Sequence, residues 1–206
     1  MSQIKFRYAQ PDDIHDAVPL IYSSGIPEFD YGFSGVNSQA KSFLKYAFSD
    51  GRGFFGWRNH VVATANDVVI GIAAFYSGQE YLRLSTELVW QVFWFFSFKD
   101  IPRVLWCMHQ LQSRMPKPSP KMHYIANFAV RADMRGNNIG STLLLNQLTI
   151  AKNLGRTVFA LDVSVDNPRA QALYERLGFK AVKINKFAGD KSKVTDTIRM
   201  EMPING

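Results

Sequence analysis

The chain has 206 residues, 24 Lys and Arg against 17 Asp and Glu, a net charge of +7, and 47% apolar residues. That is an ordinary globular balance, and a chain of this length buries enough surface to need neither disulfides nor metals. The single cysteine, Cys107, excludes an intramolecular disulfide and leaves a cysteine zinc site incomplete, so it reads as a small core residue.

The positive balance fits an anionic partner, but Lys and Arg are scattered without a dense run, so no nucleic acid is expected. The start, Met1 to Arg7, has no apolar h-region. The most apolar stretch, Leu88 to Phe98, is broken by Gln91, flanked by Glu87 and Lys99, and too short for a bilayer. These features predict a cytoplasmic protein with no membrane partner. His15, His60, His109 and His123 form no ligand spacing, and no metal is expected.

In chain order, Ile4–Tyr8 alternates apolar and basic residues as a half-buried strand does. Pro11-Asp12-Asp13 opens a helix with the stripe Ile14, Ala17, Val18, Ile21, ended by Gly25 and Pro27. Pro27 to Val36, with Phe29, Tyr31 and Phe33, reads as an aromatic loop that either lines a site or plugs a core. Ser38 to Phe48 reads as a second helix closed by Asp50-Gly51. Phe54–Trp57, His60–Ala65 and Val68–Phe75 read as a strand meander turning at Asn66-Asp67. Leu84 to Met115 has a helical period broken at Asp100-Ile101-Pro102. Its aromatic bulk (Trp90, Phe93, Trp94, Phe96, Phe98) exceeds what one helix needs against one sheet. Core packing or a dimer interface ranks above a roof over a substrate pocket. Pro116, Pro118 and Pro120 form a stiff linker.

The C-terminal third predicts strand His123–Val130, helix Gly140–Asn153, strand Thr157–Val165, helix Pro168–Leu177, a strand from Phe179, and a last strand Ile198–Met202. That order after a meander implies an α/β fold on a mixed sheet, with helices on both faces. Two segments carry chemistry. The turn Arg135-Gly136-Asn137-Asn138-Ile139-Gly140-Ser141 joins a strand to a helix, so its N–H groups point outward at a positive helix end and make an anion site. It is neither a P-loop nor a dinucleotide fingerprint, and by itself a loop that needs glycines for a tight turn would look the same. The second segment runs from Asp166 to Phe179, with Asn167 at an N-cap, Pro168 at the first helical position, Tyr174 two turns on, and Gly178 as cap.

Together, in this order, the two segments resemble the GCN5-related N-acetyltransferase (GNAT) superfamily, strongly over Tyr124 to Lys186 and more loosely before it. The family pattern Arg/Gln-x-x-Gly-x-Gly/Ala is matched at Arg135 and Gly140, while Asn138 stands at the inner glycine; Asn is the non-glycine residue most tolerant of left-handed geometry. The resemblance implies a GNAT-type acyl-CoA N-acyltransferase fold with an extra helical insertion (84–120) and an acyl-CoA-binding core (124–186) in one domain of 1–206. It implies acetyl-CoA as donor and a primary amine as acceptor, attacking directly. Phe128, Ala129 and Val130 would line the pantetheine arm, and Arg135 to Ser141 would hold the pyrophosphate. Asn167 would contact the arm or hold splayed strands, and Tyr174 would protonate the departing thiolate. Asp162 on the next strand is the candidate base; a satisfied ion pair or an ordered water in its place are the alternatives. A catalytically weak CoA-binding or interaction module of the same fold is the second reading, and a homodimer through the aromatic insertion is a further expectation.

Overall fold

The computed structural model describes residues 4–33 and 39–204. Among them, seven strands form one sheet in the order β1-β2-β3-β4-β5-β7-β6. Strands β1 (Lys5–Tyr8), β2 (His60–Ala65), β3 (Val68–Tyr76) and β4 (Met122–Val130) pair antiparallel in succession. Strand β5 (Val158–Ser164) runs parallel to β4, and β7 (Thr197–Pro203) lies antiparallel between β5 and β6 (Lys180–Asn185). The β2–β3 turn puts Asn66 and Asp67 at φ 50 and 61, the left-handed pair that a tight hairpin demands and that Asn and Asp tolerate.

Helices cover both faces. Helices α1 (Ile14–Ser23), α2 (Ile26–Phe33), α3 (Ala40–Asp50), α4 (Gly78–Phe95) and α5 (Ile101–Gln112) share a core with Val62, Ile72 and Ala129 of the sheet. Their alternation partners Val61, Ala63 and Ala73 face α6 (Ile139–Asn153) instead. Helix α7 (Pro168–Arg176) joins α6 over β4 and β5 through Leu144, Phe159, Leu161 and Tyr174. The predicted mixed α/β sheet with helices on both faces is therefore the observed architecture.

Four local expectations change. The aromatic loop from Pro27 is helix α2, because proline is tolerated in a first turn where its missing N–H has no partner to lose; residues 34–36 lie outside the described residues. Phe29 and Phe33 plug the core. Phe54–Trp57 is not a strand but a run of turns, in which Gly56 lies so close to Gly51 that a Cβ would sit 2.2 Å from its carbonyl carbon. Helix α4 begins six residues before Leu84, where Ser77 and Glu80 form a capping box: Ser77 N–H donates to Glu80 Oε2 at 2.9 Å. Pro102 falls in the first turn of α5, so the break lies just before it.

The insertion presents two faces. Leu84, Leu88 and Val92 point inward with Phe96, Ile101 and Val104. Trp90, Trp94 and Phe98 stand 60%, 78% and 90% exposed. Helix α5 also ties α2 to the segment between β6 and β7. Tyr31 Oη donates to Gln110 Oε1 at 2.5 Å, Tyr31 packs edge-on against Phe187 at 5.2 Å, and Ala188 N–H donates to Ser113 Oγ at 2.9 Å. Among the described residues, no helix is long and apolar enough to cross a membrane.

Candidate active site

Strands β4 and β5 pair only from Met122↔Val158 to Ile125↔Leu161. Beyond that register β4 runs on to Val130 and β5 to Ser164 without each other, and a wedge opens between them. Its cause lies in β4. Ala126 faces Ala74 and Ala129 faces Ile72, so Asn127 and Phe128 together oppose a single residue, a β-bulge that bends the strand. Asn127 takes φ 51 there. Its amide donates to the Phe54 carbonyl at 3.2 Å and to His60 Nε2 at 3.1 Å. His60 Nδ1 is 2.9 Å from the Gly56 carbonyl, which can only accept, so Nδ1 carries the proton and Nε2 is the free lone pair. The ring is fully buried, and that burial depresses its pKa to about 4 against the opposing effect of the Gly56 bond.

The turn after β4 stands at the mouth of this wedge. Gly136 has φ 86 with nothing within 4 Å of where a Cβ would be. Asn138 caps α6 at φ 58, ψ 11, the left-handed conformation that its glycine-like place requires. Gly140 lies so close to β4 that a Cβ would come within 2.8 Å of the Phe128 ring. The first N–H to enter the helix ladder is Thr142's, which donates to Asn138 O at 2.9 Å. The six N–H groups of Gly136, Asn137, Asn138, Ile139, Gly140 and Ser141 donate to no protein group among the described residues. Six successive free donors at the positive end of a four-turn helix form an anion cradle. Asn137 Nδ2 bonds Met134 O at 3.1 Å, and Arg135 Nε bonds Val130 O at 3.2 Å, fastening the turn to its strand.

Across the wedge stands α7. Asn167 caps it, accepting from Ala170 N–H at 3.1 Å. Gln171 Nε2 reaches the Ser164 and Val165 carbonyls at 3.0 and 3.2 Å, satisfying the unpaired end of β5. Tyr174 is buried, 6.2 Å from the Phe128 ring and 5.8 Å from that of Phe179. Its hydroxyl makes no hydrogen bond among the described residues, and burial alone holds its pKa well above the ordinary phenol value. Of the residues expected to line the arm, Phe128 faces Tyr174 and Gly140, Ala129 packs into the α1–α5 core, and Val130 lies against α6.

Asp162 faces the other side of the sheet, with no exposed side-chain surface. Arg199 grips it bidentately, Nε to Oδ1 at 2.9 Å and Nη2 to Oδ2 at 2.8 Å. Tyr124 Oη donates to Oδ2 at 2.7 Å and Asn185 Nδ2 to Oδ1 at 2.8 Å. Four donors leave this carboxylate no lone pair directed at an incoming amine, so the satisfied ion pair, rather than a free base, is the arrangement observed. Sequence reasoning passed over Arg199, Tyr124, His60 and Gln171. A signal existed for Arg199 alone: a carboxylate on a buried strand needs a cation, and Arg199 lies on the last predicted strand.

The model of the Acetyltransferase (GNAT) family matches residues 27–179. The chain belongs to this family. GNAT proteins use acetyl-CoA as donor. The N-alpha-acetyltransferase 30 of Schizosaccharomyces pombe is 41% identical over 56 residues, 27% of this chain and 37% of that protein, so the match spans just over a third of the relative's length. The N-acetyltransferase of Staphylococcus aureus Mu50 superposes with a TM-score of 0.72 at 18% identity, over 96% of this chain and 100% of that one. The ribosomal-protein-S18-alanine N-acetyltransferase of Escherichia coli gives 0.54 at 16% identity, over 99% and 96%. At such identities both show that the GNAT fold is shared.

Proposed function

We propose that this GNAT protein transfers the acetyl group of acetyl-CoA to a primary amine by direct attack, from one domain of 1–206 whose acyl-CoA core spans 124–186. The observation that carries the reading is the row of six unpaired N–H groups from Gly136 to Ser141 at the mouth of the β4–β5 wedge. Those donors fit a pyrophosphate, and the unpaired edge of β4 around Phe128 to Val130 suits a pantetheine arm lying along it like a strand. The amine nitrogen bonds to the thioester carbon, the C–S bond breaks, and the sulfur takes a proton. Tyr174, protonated at every physiological pH, would supply that proton. Asn167 would hold the end of β5 through its cap. Because Asp162 is fully engaged, we assign the amine's proton to an ordered water and treat Asp162 as a positioning residue.

Helices α6 and α7 cover one face of the wedge, so the acceptor would approach from the face bearing Tyr76, Tyr124 and Asp162. The partial likeness to an N-alpha-acetyltransferase puts peptide α-amines first among the acceptors to assay. Calorimetry with acetyl-CoA tests the donor, and no heat at high micromolar concentration would overturn the reading. Tyr174→Phe should lower kcat by about 100-fold or more with an unchanged acetyl-CoA Kd, read as free-thiol release; an undiminished rate removes Tyr174 from the role.

The engaged Asp162 and the aromatic outer face of the insertion favour one other reading, a CoA-binding interaction module with little catalysis. CoA binding without thiol release from any amine tested would select it. In either case we propose a cytoplasmic homodimer through α4. Trp90, Phe93, Trp94 and Phe98 are all more than two-fifths exposed, and aromatic side chains of about 150–250 Å² each offer on the order of 500 Å² per copy, most of what a standard interface of about 800 Å² per partner requires.

A further inference from the structure

A second cleft lies at the far end of the sheet, against the C-terminal half of α6. Helix α6 rises about 1.5 Å per residue, so Gln147 and Ile150, which line the cleft, stand about 10 and 15 Å along the axis from Gly140 in the phosphate turn. The cavity holds about 300 Å³, the lower end of the range for small-ligand sites.

Its walls divide by chemistry. Val61, Phe75, Ile150 and Leu154 make an apolar side, with Phe75 stacked on the His123 ring at 5.2 Å and 10°. The polar side consists of His123, Arg156, Arg58 and Gln147. His123 is 5% exposed, yet its Nε2 has no partner, and Arg156 Nε is likewise buried and unpaired. A buried donor or acceptor left unmade is costly, and both of these belong to residues that line the cavity. Arg58 lies over the Trp57 ring at 5.0 Å and makes no ion pair among the described residues. The acid facing them, Glu80, is already engaged: Oε2 accepts from Ser77 N–H and Oγ at 2.9 and 3.0 Å and stands 3.9 Å from Arg156 Nη2. The cleft therefore offers the guanidinium of Arg58 and that of Arg156, whose Nη1 also donates to the Pro120 carbonyl at 2.7 Å and to Gln79 Oε1 at 3.5 Å, beside an aromatic–aliphatic wall and one carboxylate committed to a helix cap.

From this geometry we propose that the cleft is a second ligand site, separate from the acetyl-CoA wedge, for a small organic carboxylate with an aromatic or branched apolar body. The carboxylate would lie between Arg58 and Arg156, and the apolar body against Phe75 and Ile150.

Benzoate serves as the probe, titrated into the full chain by calorimetry, with acetate (charge without ring) and benzamidine (ring with opposite charge) as controls. Benzoate should bind at least tenfold more tightly than acetate, and benzamidine should give no saturable heat. Arg156→Gln should weaken benzoate at least tenfold while acetyl-CoA binding stays unchanged. Ile150→Trp, which fills the cleft from a half-exposed helix position, should abolish benzoate binding without touching the core, and so decides the matter if Arg156→Gln does not fold. No benzoate binding in the millimolar range, equal binding of benzamidine, or benzoate binding that survives Ile150→Trp would each overturn the site.

Discussion

His60 and Asn127 form the smallest unit on which the wedge depends. His60 is neutral because it is buried, and its lone pair holds the amide that keeps Asn127 in the bulge. A histidine at pKa about 4 in the fold and near 6.5 unfolded binds fewer protons when folded. Stability is therefore complete above pH 6.5 and falls as pH drops toward 4, by on the order of 3 kcal/mol for such a shift. His123, also depressed to about 4 chiefly by burial, acts in the same direction. Urea midpoints measured from pH 7 to pH 4 should fall steeply in the native chain and about half as steeply in His60→Gln. Equal slopes would show that His60 carries a proton in the fold. Asn138 belongs to the same scale. Its φ of 58 already meets the turn's demand, so Asn138→Gly should leave the acetyl-CoA Kd within about threefold, whereas β-branched Asn138→Ile should raise it markedly. Calorimetry on both variants checks this, and a tighter Asn138→Gly would mean that the Asn side chain itself obstructs the cradle.

Between elements, the Asp162–Arg199 pair joins β5 to β7 where β5 has lost β4 as a neighbour. Removing one partner of such a pair leaves a buried charge, at about 3–5 kcal/mol. Arg199→Met should lower Tm by roughly 10 °C, and adding Asp162→Asn to it should recover much of that loss by discharging the orphaned carboxylate. Asp162→Asn alone, assayed where it is fully folded, should retain turnover within about tenfold. A loss as deep as that of Tyr174→Phe would restore Asp162 as the base.

For the whole molecule, the insertion of α4 and α5 both completes the core and presents aromatic rings outward. A patch of that kind on an isolated monomer is an association or aggregation site. Sedimentation velocity should show a dimer that Trp94→Glu converts to monomer with acetyl-CoA affinity unchanged. A native chain that is monomeric at tens of micromolar would remove the dimer from the reading.

Much of this protein is legible in its sequence because the signals are local. The 3.6-residue stripes, the Asn167-Pro168 start and Gly178 stop of α7, and the glycines and Asn138 of the turn after β4 each act within a few residues, so most helices, the succession of strands along the chain and the turn proposed for the anion can be read directly. The strand expected at Phe54–Trp57 and the loop expected at Pro27 failed because Gly56's approach to Gly51 and the core burial of Phe29 and Phe33 are set by distant segments. Tertiary structure alone decided three things: the wedge, which needs His60 of β2 to hold a bulge in β4; the engagement of Asp162, which needs Arg199, Tyr124 and Asn185 from three other strands; and the outward turn of Trp90, Trp94 and Phe98. The first two are contacts between residues far apart in the chain and the third follows from which face of α4 the core takes, so hydrogen-bond geometry and burial, not local propensity, determine the outcome.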